Sequence, residues 1–427
     1  MENNILKKSL DVTYEEFLSE IYGKKSKPEW FALTTLFSEI ITGRSTLVTD
    51  LSKPLRENET LADCKRVQER VSGWLENYDF VEAVGGWLLK NIPEKGRDGL
   101  TFAVDFSDIS KLFGGEGMEG MAMGYDGSTG DERMGHDFIC VSLVGARYPE
   151  ALPVYVKLNK GRKNHTELLS EAIETIMKYT GGKGWIVEDR GMDSLEHLLI
   201  MKREDRNAVV RVKNMNRDVF GNGLSISDSM KTIPFFDALL HVHKGDRKVK
   251  IRCKPGVIQY CSKPHSKNVP TQEVNVLIVE SRFEEKSLYL YVVCPDWVLK
   301  SREQMFLYAV RAAQAYCDRW QIETSFFVMK QEFAMEKVRV RTFKRLRNIF
   351  ILCVLGYVYA TQFLRKAKGF KKILKFLSDN LERVSMKTHA LLAGIRALVK
   401  EAHIRFISGR PRKKPKEDPY QMTFEGI

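Results

Sequence analysis

The sequence predicts a mixed α/β fold preceded by a helical region, and three observations predict it. Apolar residues recur at helical spacing from the N-terminus to about residue 95. In "RDGLTFAVDFSDIS" the period switches to two, with Thr101, Ala103 and Asp105 alternating with Phe102, Val104 and Phe106. Strand-like and helix-like segments then interleave before the chain returns to helix, the pattern of a sheet covered by helices.

The N-terminal helices are read from "EEFLSEIYG", "WFALTTLFSEIITG" and "VQERVSGWLENYDFVEAVGGWLLKNI". Within them, "LFSEIITGRSTLVTDLSKPLRE" has the helix, glycine-bearing turn and helix of a helix-turn-helix. After the first strand, "DFICVSLV" and "LPVYVKL" read as strands joined by the turn "GARYPEA". "NHTELLSEAIETIMKYTGG" is a helix with a glycine stop, "WIVEDRG" a short buried strand, and "DSLEHLLIMKRE" a further helix. Between Asp189 and Glu323 lie 133 residues rich in strand-like runs: "NAVVRVK", "DRKVKIRCK", "EVNVLIVES" and "KSLYLYVVC". In "KVKIRCK", Val249, Ile251 and Cys253 face one way and Lys248, Lys250, Arg252 and Lys254 the other. The apolar run "IFILCVLGYVYATQFL" is 16 residues long and contains Gly356, Thr361 and Gln362. A bilayer span needs roughly 20 residues, so this run reads as a buried core helix. "SGRPRKKPKEDPYQ" near the end has the composition of a disordered tail.

The formal net charge is +13, and its distribution matters more than its size. From Lys330 to Lys375 there are 13 Lys or Arg against two acids, Glu332 and Glu336, a net of +11 within 46 residues. Such a concentration favours a polyanionic partner over a merely solvated basic helix. The seven cysteines are scattered, with no CxxC pair, and Cys253, Cys261 and His265 do not have zinc spacing. They read as reduced packing residues of a cytoplasmic protein. The N-terminus carries no apolar core long enough for a signal peptide.

One stretch does not fit a plain core helix. In "YCDRWQIETSFFVMK", Tyr316, Arg319, Glu323 and Lys330 fall within an arc of about 60° at about 100° per residue. Ile322, Phe326, Met329 and Phe333 flank one side of this stripe, and Trp320 and Phe327 the other. Buried charges are costly unless they are paired or bound. An Arg319–Glu323 pair alone would account for two of them. Asp105 and Asp189, each near a predicted strand end, supply further carboxylates. Two strand-end aspartates and a helical glutamate are the donor set of a magnesium site for phosphoryl transfer. Mg²⁺ prefers hard oxygen ligands, and paired ions can serve both the attacking and the leaving oxygen.

These segments resemble bacterial insertion-sequence DDE transposases. "YCDRWQIETSFFVMK" matches their Tyr-x2-Arg-x3-Glu-x6-Lys signature at all four positions, "AVDFSDISK" resembles their first-Asp segment and "WIVEDRG" their second-Asp strand. The resemblance covers roughly residues 35 to 365. It implies a ribonuclease-H-like mixed sheet interrupted by a β-strand insertion before the final Glu. It also implies that Asp105, Asp189 and Glu323 form the catalytic and metal-binding triad, holding two Mg²⁺ ions with Mn²⁺ as a substitute. Asp108 competes for the first position, but alternation puts it on the face opposite Asp105. Tyr316, Arg319 and Lys330 resemble the residues that grip DNA phosphates, and "VVRVK" resembles a DNA-contacting segment, which makes Arg211 a further candidate. Tyr289, Tyr291 and Trp297 are the aromatics available to stack on a flipped-out base.

The expected organisation is a helical DNA-end-binding region at 1–95, the first part of the catalytic core at 96–205 and the β-rich insertion at 206–297. The last part of the core follows at 298–380, and a helical and basic tail at 381–427. The resemblance implies a transposase acting on double-stranded DNA, at both terminal inverted repeats and target, as a homodimer in the synaptic complex and without a membrane. Two other readings use the same residues: a catalytically silent DNA-binding relative, and a ribonuclease-H-like nuclease without strand transfer.

Overall fold

The structure is a computed structural model. It describes residues 14–363 and Leu392, except 44, 56–59, 111–116, 127–130, 149, 163–164, 204–205, 243–244 and 261–271. The tail reading, Cys261, His265 and the distal part of the basic run therefore lie outside the described residues.

Among the described residues five α-helices come first: α1 (14–22), α2 (Lys27–Gly43), α3 (Val48–Leu51), α4 (Leu61–Asn77) and α5 (Glu82–Lys90). Their apolar faces carry the predicted spacing, with Leu33, Leu36, Phe37, Ile40 and Ile41 of α2 fully enclosed. The helix-turn-helix reading meets a short second helix, since α3 has only 4 residues. Thr60 caps α4 by accepting from the Asp63 amide, the local reason that helix begins there.

The sheet is built from β1 (Thr101–Ser110), β2 (Ala122–Asp126), β3 (Asp131–Val144), β4 (Leu152–Asn159), β5 (Trp185–Glu188) and β6 (Asn207–Arg211). It continues through β7 (Phe236–Val242), β8 (Gly245–Tyr260), β9 (Gln272–Phe283) and β10 (Lys286–Val293). β1 pairs antiparallel with β3, and β3 with β4, while β5 is parallel to β1 and β6 is parallel to β5. That order, with α6 (His165–Thr180) and α7 (Leu195–Arg203) in the crossovers, is the ribonuclease-H-like arrangement. Residues 207–211, which the sequence reading assigned to the insertion, are the second parallel strand beside β5.

The insertion does not stand apart as a separate sheet. A short helix, α8 (Ile226–Met230), precedes β7, and β10 returns to pair antiparallel with β6. The 10 strands among the described residues thus form one sheet, ordered β2-β3-β1-β5-β6-β10-β9-β8-β7 with β4 on β3. Alternation in β8 is as read: Val249, Ile251 and Cys253 are buried and Lys248 and Lys250 exposed. Arg252 departs from its row. It is buried, paired with Glu280 at 2.5 Å, and Phe235 lies against both its guanidinium and that of Arg282.

After α9 (Asp296–Leu299), the 31-residue α10 (Arg302–Glu332) packs along the sheet from β7 to β3. Its first half presents Ala309, Ala312, Ala313 and Ala315 to Val187, Val209, Val279 and Val292. Small side chains let the helix lie close to the strands. Gln314 and Gln321 fasten it at both sides, Gln314 to the His241 backbone and Gln321 to the Gly145 amide and Tyr148 carbonyl.

The last long helix, α11 (Phe343–Val358), is the predicted buried run. Phe343–Phe363 is the one segment among the described residues long and apolar enough to cross a membrane, and 83% of its apolar window is buried inside the fold. It packs against α2, α4 and β4, so the N-terminal helices share one apolar core with the sheet. Asn348, fully buried, donates to the Leu75 and Tyr78 carbonyls and accepts from the Phe80 amide, pinning the end of α4.

Candidate active site at the carboxyl ends of the parallel strands

The sheet register brings three predicted residues into one row. Val104 is opposite Glu188 and Glu188 opposite Val210, so Asp105, Asp189 and Arg211 each lie one residue further on. This is the carboxyl edge of the parallel strands, the usual place for sites in such sheets. Asp105 is not at the end of β1, as its sequence suggested. Pairing with β5 stops at Val104, but β1 continues to Ser110 because β3 pairs with it throughout.

α10 brings the polar stripe to that row. Arg319 donates from Nη1 to Asp105 Oδ2 at 2.9 Å and from Nη2 to Glu323 Oε1 at 2.5 Å. Tyr316 donates its hydroxyl to Asp189 Oδ1 at 2.8 Å, and Arg211 Nη1 stands 3.7 Å from the same oxygen. The stripe lies along a boundary. Ile322, Phe326, Met329 and Phe333 on one flank are buried, whereas Trp320 and Phe327 on the other are 63% and 62% exposed. Charges on this helix are therefore tolerated for two reasons: Arg319 is ion-paired inside the fold, and the far side of the stripe opens to solvent.

The electrostatics follow from burial and from like charges in proximity. Asp105 is pushed up to about 7 by burial, with Arg319 pulling down and Glu323 and Asp189 pushing further up. Burial also raises Asp189, but the Tyr316 hydroxyl, the Arg190 amide and the guanidiniums of Arg319 and Arg211 outweigh it and leave it below the ordinary value. Burial opposes the charge on Arg319, yet Asp105, Tyr316, Glu323 and Asp189 together hold its proton more firmly than usual. Tyr316 is raised to about 12, chiefly by burial.

Lys330 is not brought to this cluster. It pairs with Asp108 at 2.9 Å and Glu336 at 3.2 Å. Alternation sets Asp108 apart from Asp105, but α10 meets both, the latter through Arg319 and the former through Lys330, where β1 runs past β5. Of the aromatics, Tyr291 is fully buried with its hydroxyl accepting from Arg217 at 3.0 Å, Tyr289 is partly buried, and Trp297 is 55% exposed. Only Trp297 of these three presents a largely open face. In the basic segment after α10, Val338 and Val340 are buried while Lys337, Arg339 and Arg341 are exposed, so these cations face solvent. Arg345 and Arg347 instead pair with Glu76 and Asp79.

Sequence reasoning passed over Asp193. Its carboxylate accepts from the Lys213 amide at 2.7 Å and from Arg217 at 2.8 Å, tying the turn after Asp189 to the loop after Arg211. The available signal was a carboxylate four residues past Asp189 in "EDRGMDS", a spacing that says nothing of its distant partners. Behind the row, Glu188 and His197 form a buried pair at 2.7 Å that fastens α7 to β5.

The donor set, carboxylate oxygens alone, suits a hard divalent ion such as Mg²⁺. The arrangement is not a ready cage. Among the described residues no group of three or more His, Cys, Asp or Glu side chains stands together as a metal site, and the Arg319 guanidinium sits between Asp105 and Glu323.

A ribonuclease-H-like sheet thus carries acidic residues at its parallel strand ends, faced by a helix bearing Tyr316, Arg319 and Glu323. Residues 142–359, just over half of the chain, match the family described as "Transposase DDE domain", and the chain belongs to that family. Asp189, Glu323, Tyr316, Arg319, Lys330 and Arg211 lie inside the matched span, and Asp105 lies before it. No curated protein matches the chain in sequence. Among solved structures the chain is similar to the Drosophila P element transposase strand transfer complex, at 8% identity and a TM-score of 0.27, covering 95% of this chain and 88% of that one. That likeness is too distant to carry an argument.

Proposed function

We propose that this transposase-family chain cuts DNA at the ends of a mobile element and joins the freed ends to target DNA. Asp105, Asp189 and Glu323 are its catalytic carboxylates. The observation that carries the reading is that Arg319 bonds Asp105 and Glu323 at once while Tyr316 of the same helix bonds Asp189. One helical turn thereby gathers three acids distant in sequence.

Two Mg²⁺ ions held by these carboxylates, or Mn²⁺ in their place, would supply charge stabilisation for the attacking and leaving oxygens of the phosphodiester. The chain's own residues do the rest. Arg211, at the adjacent strand end and partly exposed, grips a phosphate flanking the scissile bond, and Arg319 offers a planar fork suited to a second. Tyr316 holds Asp189 deprotonated and oriented. Trp297, open at the start of α9, offers a stacking surface for an unpaired base. The exposed Lys337, Arg339 and Arg341 and the N-terminal helices α1 to α5 contribute sequence-independent and end-specific contacts to duplex DNA. Synapsis of two element ends calls for a homodimer. Lys330 acts locally, bracing β1 through Asp108.

The test is Asp189→Ala on a duplex carrying the DNA that flanks the coding region. Mg²⁺-dependent cleavage is expected to disappear while end binding stays measurable, and cleavage at the wild-type rate would refute the site. A pre-cut end with a free 3′-hydroxyl then separates the readings. Joining to a second duplex supports a transposase, and cleavage without joining supports the nuclease.

A further inference from the structure

Arg319 is in an unusual position for a residue meant to hold DNA. It is 5% exposed, both its terminal nitrogens are taken by Asp105 and Glu323, and its Nε is buried without a hydrogen-bond partner among the described residues. A guanidinium so enclosed is costly to leave unpaired, and the two acids are equally costly without a cation. Each group satisfies the other in the DNA-free chain.

We propose that Arg319 is the resident cation of the acidic cluster and exchanges partners during assembly. Divalent ions take over Asp105 and Glu323, and the released guanidinium passes to a DNA phosphate. This rests on the triad reading above and adds to it a coupling between ion and DNA binding.

Three features carry it. The oxygens that hold Arg319, Asp105 Oδ2 and Glu323 Oε1, belong to carboxylates an ion must ligate, and a full set of charge-assisted bonds cannot be kept by both cations. Asp189 is not bonded by Arg319: the Tyr316 hydroxyl donates to it, and Arg211 stands 3.7 Å away, so it can receive an ion first without breaking an ion pair of Arg319. The Tyr316 ring lies 5.3 Å from the guanidinium, on the side of α10 whose exposed flank begins at Trp320, so an aromatic surface borders Arg319 toward solvent. Once divalent ions take these carboxylates, the positive charge of the ions repels Arg319 toward the nearest anion. Coupling of this kind is reciprocal: DNA that captures Arg319 must strengthen ion binding by the same factor that ions strengthen DNA binding.

Mn²⁺ titration of the full-length protein, read by the electron paramagnetic resonance of free Mn²⁺, tests this without turnover. Arg319→Gln is expected to bind Mn²⁺ roughly tenfold more tightly than wild type in the absence of DNA, a typical coupling. Arg211→Gln, which removes a nearby charge that bonds neither Asp105 nor Glu323, should gain much less. Adding the flanking-DNA duplex should tighten Mn²⁺ binding in wild type and leave Arg319→Gln unchanged. The exchange is overturned if Arg319→Gln binds Mn²⁺ no more tightly than wild type, or if its gain equals that of Arg211→Gln. Arg319→Lys, which keeps a cation but not the fork, should fall between and carries the comparison if the glutamine variant does not fold. Asp189→Ala distinguishes the two levels. If it leaves Mn²⁺ binding intact, the ions are elsewhere and the triad reading fails. If it abolishes binding while Arg319→Gln shows no gain, only the exchange fails.

Discussion

Raising the pH of the metal-free protein from about 4 to about 8 is expected to weaken it through Asp105. The carboxyl, ordinarily near 3.8, is pushed up to about 7 in the fold by burial, only partly offset by Arg319. Between those values the native chain keeps a proton that the unfolded chain releases. Stability from this group is therefore fully present below about pH 4 and is lost as the pH climbs through 7, the reverse of the usual salt-bridged aspartate. The gap between 3.8 and about 7 corresponds to about 4 kcal/mol, at about 1.4 kcal/mol per pH unit. The comparison is with Asp105→Asn, which keeps an acceptor for Arg319 but does not titrate. Urea unfolding of both proteins in a chelating buffer should show wild type losing about 4 kcal/mol relative to the variant across this range. Parallel pH profiles, or a relative gain by wild type as the pH rises, would refute the assignment of burial as the dominant influence.

Two further outcomes test the scaffold. Asn348→Ala removes two buried hydrogen bonds and one partly buried one and should cost about 3 kcal/mol in a single urea transition, since the N-terminal helices and the sheet share a core. Gly184→Ala places a methyl carbon 2.6 Å from the Phe102 ring at a residue with φ of +109°, and should lower stability by about 2–5 kcal/mol in thermal melts.

The elements were largely legible because their signals are local. The alternation of "TFAVDF" gave β1, the glycine stop after "MKYT" ended α6, and the apolar run, as far as Phe363, lies within α11 and the π-helical turn after it. What escaped depends on neighbours. β2 and the edge strand β7 lack long apolar runs, and the insertion strands carry no mark of their pairing partner. The return of β10 to β6 is what makes insertion and core one sheet. Tyr291 looked as available as Trp297 until Arg217 and the surrounding core enclosed it.

The same division applies to the site. By itself the sequence determined the residue types, their helical and strand phase, and hence that Tyr316, Arg319 and Glu323 share one face. It equally put Lys330 on that face. Only the tertiary structure decided that Val104 registers with Glu188, so that Asp105 and Asp189 are neighbours, and that Lys330, 11 residues beyond Arg319 on α10, ends at Asp108. Helical and strand periods fix direction around an axis, whereas position along that axis, register and burial are set by which distant segments pack together. The Arg319 guanidinium lodged between two carboxylates belongs to that second kind of information.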